Sequence, residues 1–89
     1  MTPMPWHVYI LKCGDGTLYT GATNDLKLRF AAHAAGKGAK YTRGRAPLVL
    51  AWKRRVKGRS EALKLEASIK RLPRTEKIAL VDGRVRMRL

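Results

Sequence analysis

The chain has 89 residues, 20 Lys and Arg against 6 Asp and Glu, and a net charge of +14. That length holds one domain, and 45% hydrophobic content marks a folded domain rather than a basic tail. A single cysteine, Cys13, rules out an internal disulfide and a multi-cysteine metal site, while no apolar run approaches the length of a membrane span.

Residues 1–5 contain Pro3 and Pro5 and read as a flexible lead-in without a secretory signal, so a cytoplasmic setting is expected. The ordered domain is expected over 6–81, followed by a basic tail over 82–89. His7 to Lys12 is rich in β-branched and aromatic residues, and Thr17 to Gly21 reads the same way. Cys13-Gly14-Asp15-Gly16 between them is a hairpin turn signal. A turn at Asp15-Gly16 alone puts Tyr9 and Tyr19 on opposite faces. A loop over Gly14–Gly16 instead pairs Leu11 with Tyr19 and Tyr9 with Gly21, leaving both phenols on one face. An odd-length loop or a bulge is expected.

Thr23 or Asn24 is the expected cap of a first helix running to about Ala35, with Asp25 in its first turn and Gly36 as its stop. Leu26, Phe30 and Ala34 form its apolar stripe, flanked by Arg29 and His33 one turn apart. The loop over 36–46 interleaves Lys37, Lys40, Arg43 and Arg45 with Tyr41, a pattern suited to phosphate contacts and base stacking as well as to an ordinary basic surface loop. Leu48 to Trp52 is a continuous apolar run and reads as a central strand buried on both faces. A dense charge run follows it, and Arg54 and Arg55 are candidates for a second phosphate track.

Ser60 is the expected cap of a second helix with a core stripe of Ala62, Leu65, Ile69 and Leu72. Glu66 borders that stripe. Its carboxylate needs a cation, either a hard divalent ion or Lys70 one turn on, which is also a candidate phosphate contact. Pro73 separates a short last helix, 74–81, from the second, and the tail beyond Gly83 alternates cationic and apolar residues, compatible with an edge strand, a phosphate contact or disorder. The expected architecture is α/β of the α+β type, a three-stranded mainly antiparallel sheet flanked by helices.

Val8-Tyr9-Ile10 followed by Tyr19-Thr20-Gly21, then Asn24, Arg29, His33 and Glu66, resembles the GIY-YIG nuclease superfamily in its small stand-alone bacterial form, over roughly Trp6 to Leu80. The resemblance implies a phosphodiesterase acting on nucleic acid, DNA first, in which Glu66 holds one Mg²⁺ or Mn²⁺. It further implies Tyr9 as base, Tyr19 and Arg29 on water and phosphate, and His33 as a positioning or relay group, with Gly21 structural. No small-molecule cofactor and no membrane are expected, and a separate protein for targeting is compatible with so short a chain. Two features depart from the family pattern: the triplets read His-Val-Tyr and Tyr-Thr-Gly, and the only asparagine is Asn24, where larger family nucleases place a late one. The alternative reading is a DNA- or RNA-binding module that keeps the fold without turnover.

Overall fold

In the computed structural model, which describes residues 5–87, the chain's first strand takes the middle of the sheet. β1 (Trp6–Lys12), β2 (Leu18–Thr23) and β3 (Val49–Val56) pair antiparallel throughout in the order β2-β1-β3. α1 (Leu26–Ala34) follows the hairpin and a short 3₁₀ turn (Lys40–Thr42) interrupts the next loop. α2 (Arg59–Lys70) and α3 (Arg74–Val81) close the chain. The expected sheet and helices are present.

The hairpin follows the odd-loop register. Tyr9 faces Gly21 and Leu11 faces Tyr19, and the Cys13 N–H reaches the Thr17 carbonyl at 2.9 Å, leaving Gly14–Gly16 as the loop. Gly16 carries φ of 85°, the left-handed residue that such a loop requires.

The apolar run at Leu48–Trp52 does not make a central strand. Its residues from Val49 on open β3, an edge strand that continues through Lys53, Arg54 and Arg55 to Val56, with Val49 56% exposed. The buried middle belongs to β1, whose Val8, Tyr9, Ile10 and Leu11 are all 1% exposed or less. Cations on an unpaired edge discourage further strand addition, which accounts for charge within this strand.

Helix starts also differ from expectation. α1 is capped by Asp25, whose Oδ1 accepts the Leu28 N–H at 3.1 Å, while Thr23 Oγ1 accepts the Asp25 N–H at 3.1 Å. α2 begins after Gly58, so Ser60 lies inside it. Glu61 reaches back past the Gly58 cap to accept the Lys57 N–H at 2.9 Å. α1 ends as expected, one residue early: the Gly36 N–H bonds the His33 carbonyl, the Lys37 N–H bonds the Ala32 carbonyl, and Gly36 has φ of 77°.

Alternation along β1 divides the molecule. Val8 and Ile10 join Val56, Ala62, Leu65, Ile69 and Leu80 in a buried cluster, with Leu72, Trp52 and Met87 packed against it. Tyr9 and Leu11 point to the opposite face. In α1 the expected stripe fails at Ala34, which is exposed, and His33 is the buried residue. The tail over 84–87 forms no strand; Arg54 Nη1 donates to the Met87 carbonyl. Residues 1–4 of the expected 1–5 lead-in and the tail's last two residues lie outside the described residues.

Because Ile69 is fully buried at the centre of the α2 stripe, Ile69→Ala should cost about 2–5 kcal/mol. Urea unfolding followed by circular dichroism measures it, with the slope unchanged if only the native state loses contacts.

Candidate active site

Residues His7, Tyr9, Leu11, Tyr19, Gly21 and Thr23 share one face of the hairpin through its register. A Cβ on Gly21 would stand 2.5 Å from Tyr9 Oη and 3.1 Å from Tyr19 Cε2, so the Tyr9 ring lies across β2 where no side chain opposes it. The Tyr9 and Tyr19 rings are 6.4 Å apart between centroids. α1 brings His33 to 5.9 Å from the first ring and 5.3 Å from the second.

His33 is 1% exposed and fully engaged. Its Nε2 lies 2.9 Å from Tyr9 Oη, and its Nδ1 meets the Ala39 N–H at 3.3 Å and Thr42 Oγ1 at 3.0 Å. A backbone N–H only donates, so Nδ1 is an acceptor and the ring proton sits on Nε2, which donates to the Tyr9 oxygen. The Thr42 hydroxyl, 2.8 Å from the Ala39 carbonyl, supplies its proton there or to Nδ1. The Tyr9 hydroxyl proton is thereby left free to point into the site.

Electrostatics act on the same phenol. Burial, and then the neighbouring Tyr19, push Tyr9 up to about 12, while the nearby Arg29 guanidinium opposes them and Glu66 adds to the rise. Burial, helped by the Arg29 charge, holds His33 below the usual imidazole value, which keeps it neutral. Arg29 is half-buried on α1, and α2 packs on β1 and β2. The Glu66 side chain is 20% exposed, with Lys70 Nζ 3.6 Å away.

The loop beyond α1 forms the wall of the site. Tyr41 stacks on Tyr19 with centroids 5.7 Å apart, and the Arg45 guanidinium lies 4.4 Å from the Tyr41 centroid. Arg45 also pairs with Asp15 at 2.5 Å, tying the wall to the hairpin loop. Hydrogen bonds from the Thr17 hydroxyl and N–H, and then Arg45, hold the Asp15 carboxyl below its usual value. Lys37, Lys40 and Arg43 are exposed on this loop. On β3 the register puts Arg55 opposite His7 and Lys53 opposite Tyr9, on the tyrosine face, whereas Arg54 pairs with Val8 and turns to the other face.

Three positions escape the sequence reading. Thr42 is 2% exposed beneath His33, Lys53 neighbours Tyr9 across the sheet, and a Cβ on Gly38 would collide with the His33 ring. Gly36-Lys37-Gly38 is the only signal for the last, and side-chain alternation along an extended third strand is the signal for Lys53; nothing in the local pattern distinguishes Thr42.

The described residues hold no group of three or more His, Cys, Asp and Glu side chains. A lone carboxylate, Glu66, whose charge reaches the Tyr9 phenol, fits a hard divalent ion that would keep most of its water ligands, and does not fit zinc.

A family model described as the GIY-YIG catalytic domain matches residues 5–79. The chain belongs to the GIY-YIG family. A UPF0213 protein of Vibrio cholerae is 49% identical over 86 residues, covering 96% of this chain and 85% of the relative. One from Oceanobacillus iheyensis is 50% identical over 76 residues, covering 85% and 88%. Among solved structures, the UPF0213 protein BH0048 of Bacillus halodurans is 47% identical, with 89% of this chain and 84% of that one covered at a TM-score of 0.59. Protein EF2693 of E. faecalis is 33% identical, covering 96% and 92% at 0.61. Membership implies a nuclease, with nucleic acid as substrate, and GIY-YIG nucleases generally depend on a divalent metal. No helix among the described residues is long and apolar enough to cross a membrane.

Two measurements check this geometry. Gly21→Ala should displace the Tyr9 ring and cost about 1–3 kcal/mol, as an overfilled core does, with loss of the Tyr9–His33 contact in NMR spectra. His33 has its folded value lowered from 6.5, so the unfolded chain takes up its proton first as pH falls. Stability should therefore decline below about pH 6.5, and NMR should place the His33 midpoint under that value.

Proposed function

We propose that the protein is an endonuclease that hydrolyses phosphodiester bonds in DNA with one Mg²⁺ or Mn²⁺. The observation that carries the reading is the convergence of Tyr9, Tyr19 and His33 on one face, with Arg29 and Glu66 both acting on the Tyr9 phenol. A net charge of +14 supports a polyanionic substrate.

Glu66 is the residue that would hold the ion, which when bound contributes positive charge at the scissile phosphate and at the leaving oxygen. Tyr9 takes the proton of the attacking water. His33 donates from Nε2 to the phenol oxygen and so favours the phenolate, as does Arg29. Tyr19 orients water or phosphate through its hydroxyl, and Arg29 offsets charge gathering on the phosphate oxygens. Lys53 and Arg55, one strand over, join Lys37, Lys40 and Arg43 as candidates to hold flanking phosphates. Arg45 and Tyr41 act from the wall, where Asp15 and Tyr19 already engage them. Lys70, 3.6 Å from Glu66 and half-exposed, is a further candidate phosphate contact. A cytoplasmic location goes with this reading, and a targeting protein remains compatible with it.

The Glu66–Lys70 pair favours a second reading, a nucleic-acid-binding module in which Lys70 alone answers the carboxylate. The readings separate in a cleavage panel of single-stranded, duplex, flap and junction DNA with Mg²⁺ or Mn²⁺. As an endonuclease, the wild type cuts, Glu66→Ala abolishes cutting and keeps binding, and excess chelator stops the reaction; undiminished cutting by Glu66→Ala would sink the site. As a binding module, highly purified protein yields no product and binds with a steep salt dependence that needs no metal.

A base at about 12 is almost wholly protonated at neutral pH. The cleavage rate should accordingly climb by up to about tenfold per pH unit through the alkaline range. Tyr9→Phe should lower the rate by about 10²- to 10⁴-fold and flatten that rise.

A further inference from the structure

Beside the tyrosine face, between the start of α1 and the β1–β3 pair, lies a cavity of about 500 Å³. Leu26, Phe30 and Leu50 give it apolar walls, His7 lines it from β1, and Lys27 and Lys53 supply cations. Asp25 also borders it, but its Oδ1 is spent on the Leu28 N–H.

The cavity continues the site already described. His7 precedes Tyr9 by two residues on the same face, about 7 Å along the strand, and Lys53 is the cross-strand partner of Tyr9. Phe30 follows Arg29 directly on α1. A strand of nucleic acid with its phosphate at Tyr9 and Arg29 therefore has its neighbouring nucleotide over this opening. The walls offer what a base needs: apolar and aromatic surface for its faces, and polar groups for its edge. His7 Nδ1 is buried and has no hydrogen-bond partner among the described residues. Burial, and then the charges of Lys53 and Arg55, hold His7 below the usual imidazole value, so the ring is neutral and one nitrogen is free to accept. Among the described residues His7 Nδ1 is the one buried side-chain nitrogen or oxygen without a partner, and such an atom calls for an explanation.

We propose that this cavity receives one unstacked base of the substrate strand, next to the phosphate that is cut, with His7 on the base edge, Phe30 against its face and Lys53 on the adjoining phosphate. The assignment rests on the nuclease reading above. It makes the cavity the place where the enzyme senses substrate, favouring single-stranded or distorted DNA whose bases unstack at low cost.

The test uses the wild-type protein in NMR titrations with two probes at equal concentration, deoxyadenosine 5′-monophosphate and 2-deoxyribose 5-phosphate, which lacks the base. The first should shift the signals of His7, Leu26, Phe30 and Leu50, and the second only those of Lys and Arg groups. Leu50→Trp and Leu26→Trp fill the cavity from opposite sides; either one that keeps the wild-type circular dichroism spectrum should abolish the base-dependent shifts. In cleavage by the same variants, KM should rise about tenfold, the weight of one stacked base, with kcat near wild type. Identical shifts from both probes, in a preparation that cleaves DNA with Mg²⁺, would overturn the cavity assignment and leave the nuclease reading intact. No nucleotide shifts together with no cleavage would remove both.

Discussion

A ring of Tyr9's size can cross its neighbouring strand only where that strand has no side chain, and Gly21 supplies the vacancy directly opposite. This steric allowance fixes the rest. The ring laid over Gly21 comes beside Tyr19, presents its oxygen to His33, and feels the charges of Arg29 and Glu66 from two different helices. Side-chain alternation does the sorting: the register that sends Tyr9 and Tyr19 to one face sends Val8 and Ile10 into the core with α2 and α3. A one-residue slip would exchange the two sets and destroy core and site together.

The histidine shows how a small protein holds a polar group in its interior. His33 is neutral because burial and Arg29 disfavour its charge, and its tautomer follows from a single backbone N–H at Ala39. Two glycine gaps, at Gly21 and Gly38, admit the Tyr9 ring and bring the loop onto the imidazole. Pre-organisation here is achieved mostly by leaving atoms out.

Much of this was readable from the residues, wherever local chemistry decided the outcome. The glycine-rich turn left two loop lengths open, and the expected odd one, with its shared face for the tyrosines, is the one that formed; the stripe of Ala62, Leu65 and Ile69 on α2 specified the core. The reading failed where tertiary context chose between equal local options. An apolar run such as Leu48–Trp52 suits a central strand, but β1 pairs on both sides and takes that place. Ser60 is a good cap, yet Gly58 starts α2 and Glu61 serves the exposed N–H instead. Alternation alone would have separated Arg54 from Lys53 and Arg55 had the strand been extended to Val56. Thr42 was beyond reach, since its partner is nine residues earlier and the contact exists only after the loop has folded back.

The segment from Gly36 to Ala46 is fastened at both ends. Its start is locked by the helix-ending bonds at Gly36 and Lys37, and its far end by Arg45, whose carbonyl accepts the Gly14 N–H while its side chain holds Asp15. Between those moorings it must carry Thr42 beneath His33 and Tyr41 onto Tyr19. Its contour is therefore set to within a residue or so. Insertions along most of it would pull one of these groups from its seat, and the exposed Arg43-Gly44 pair is where an added residue would disturb them least.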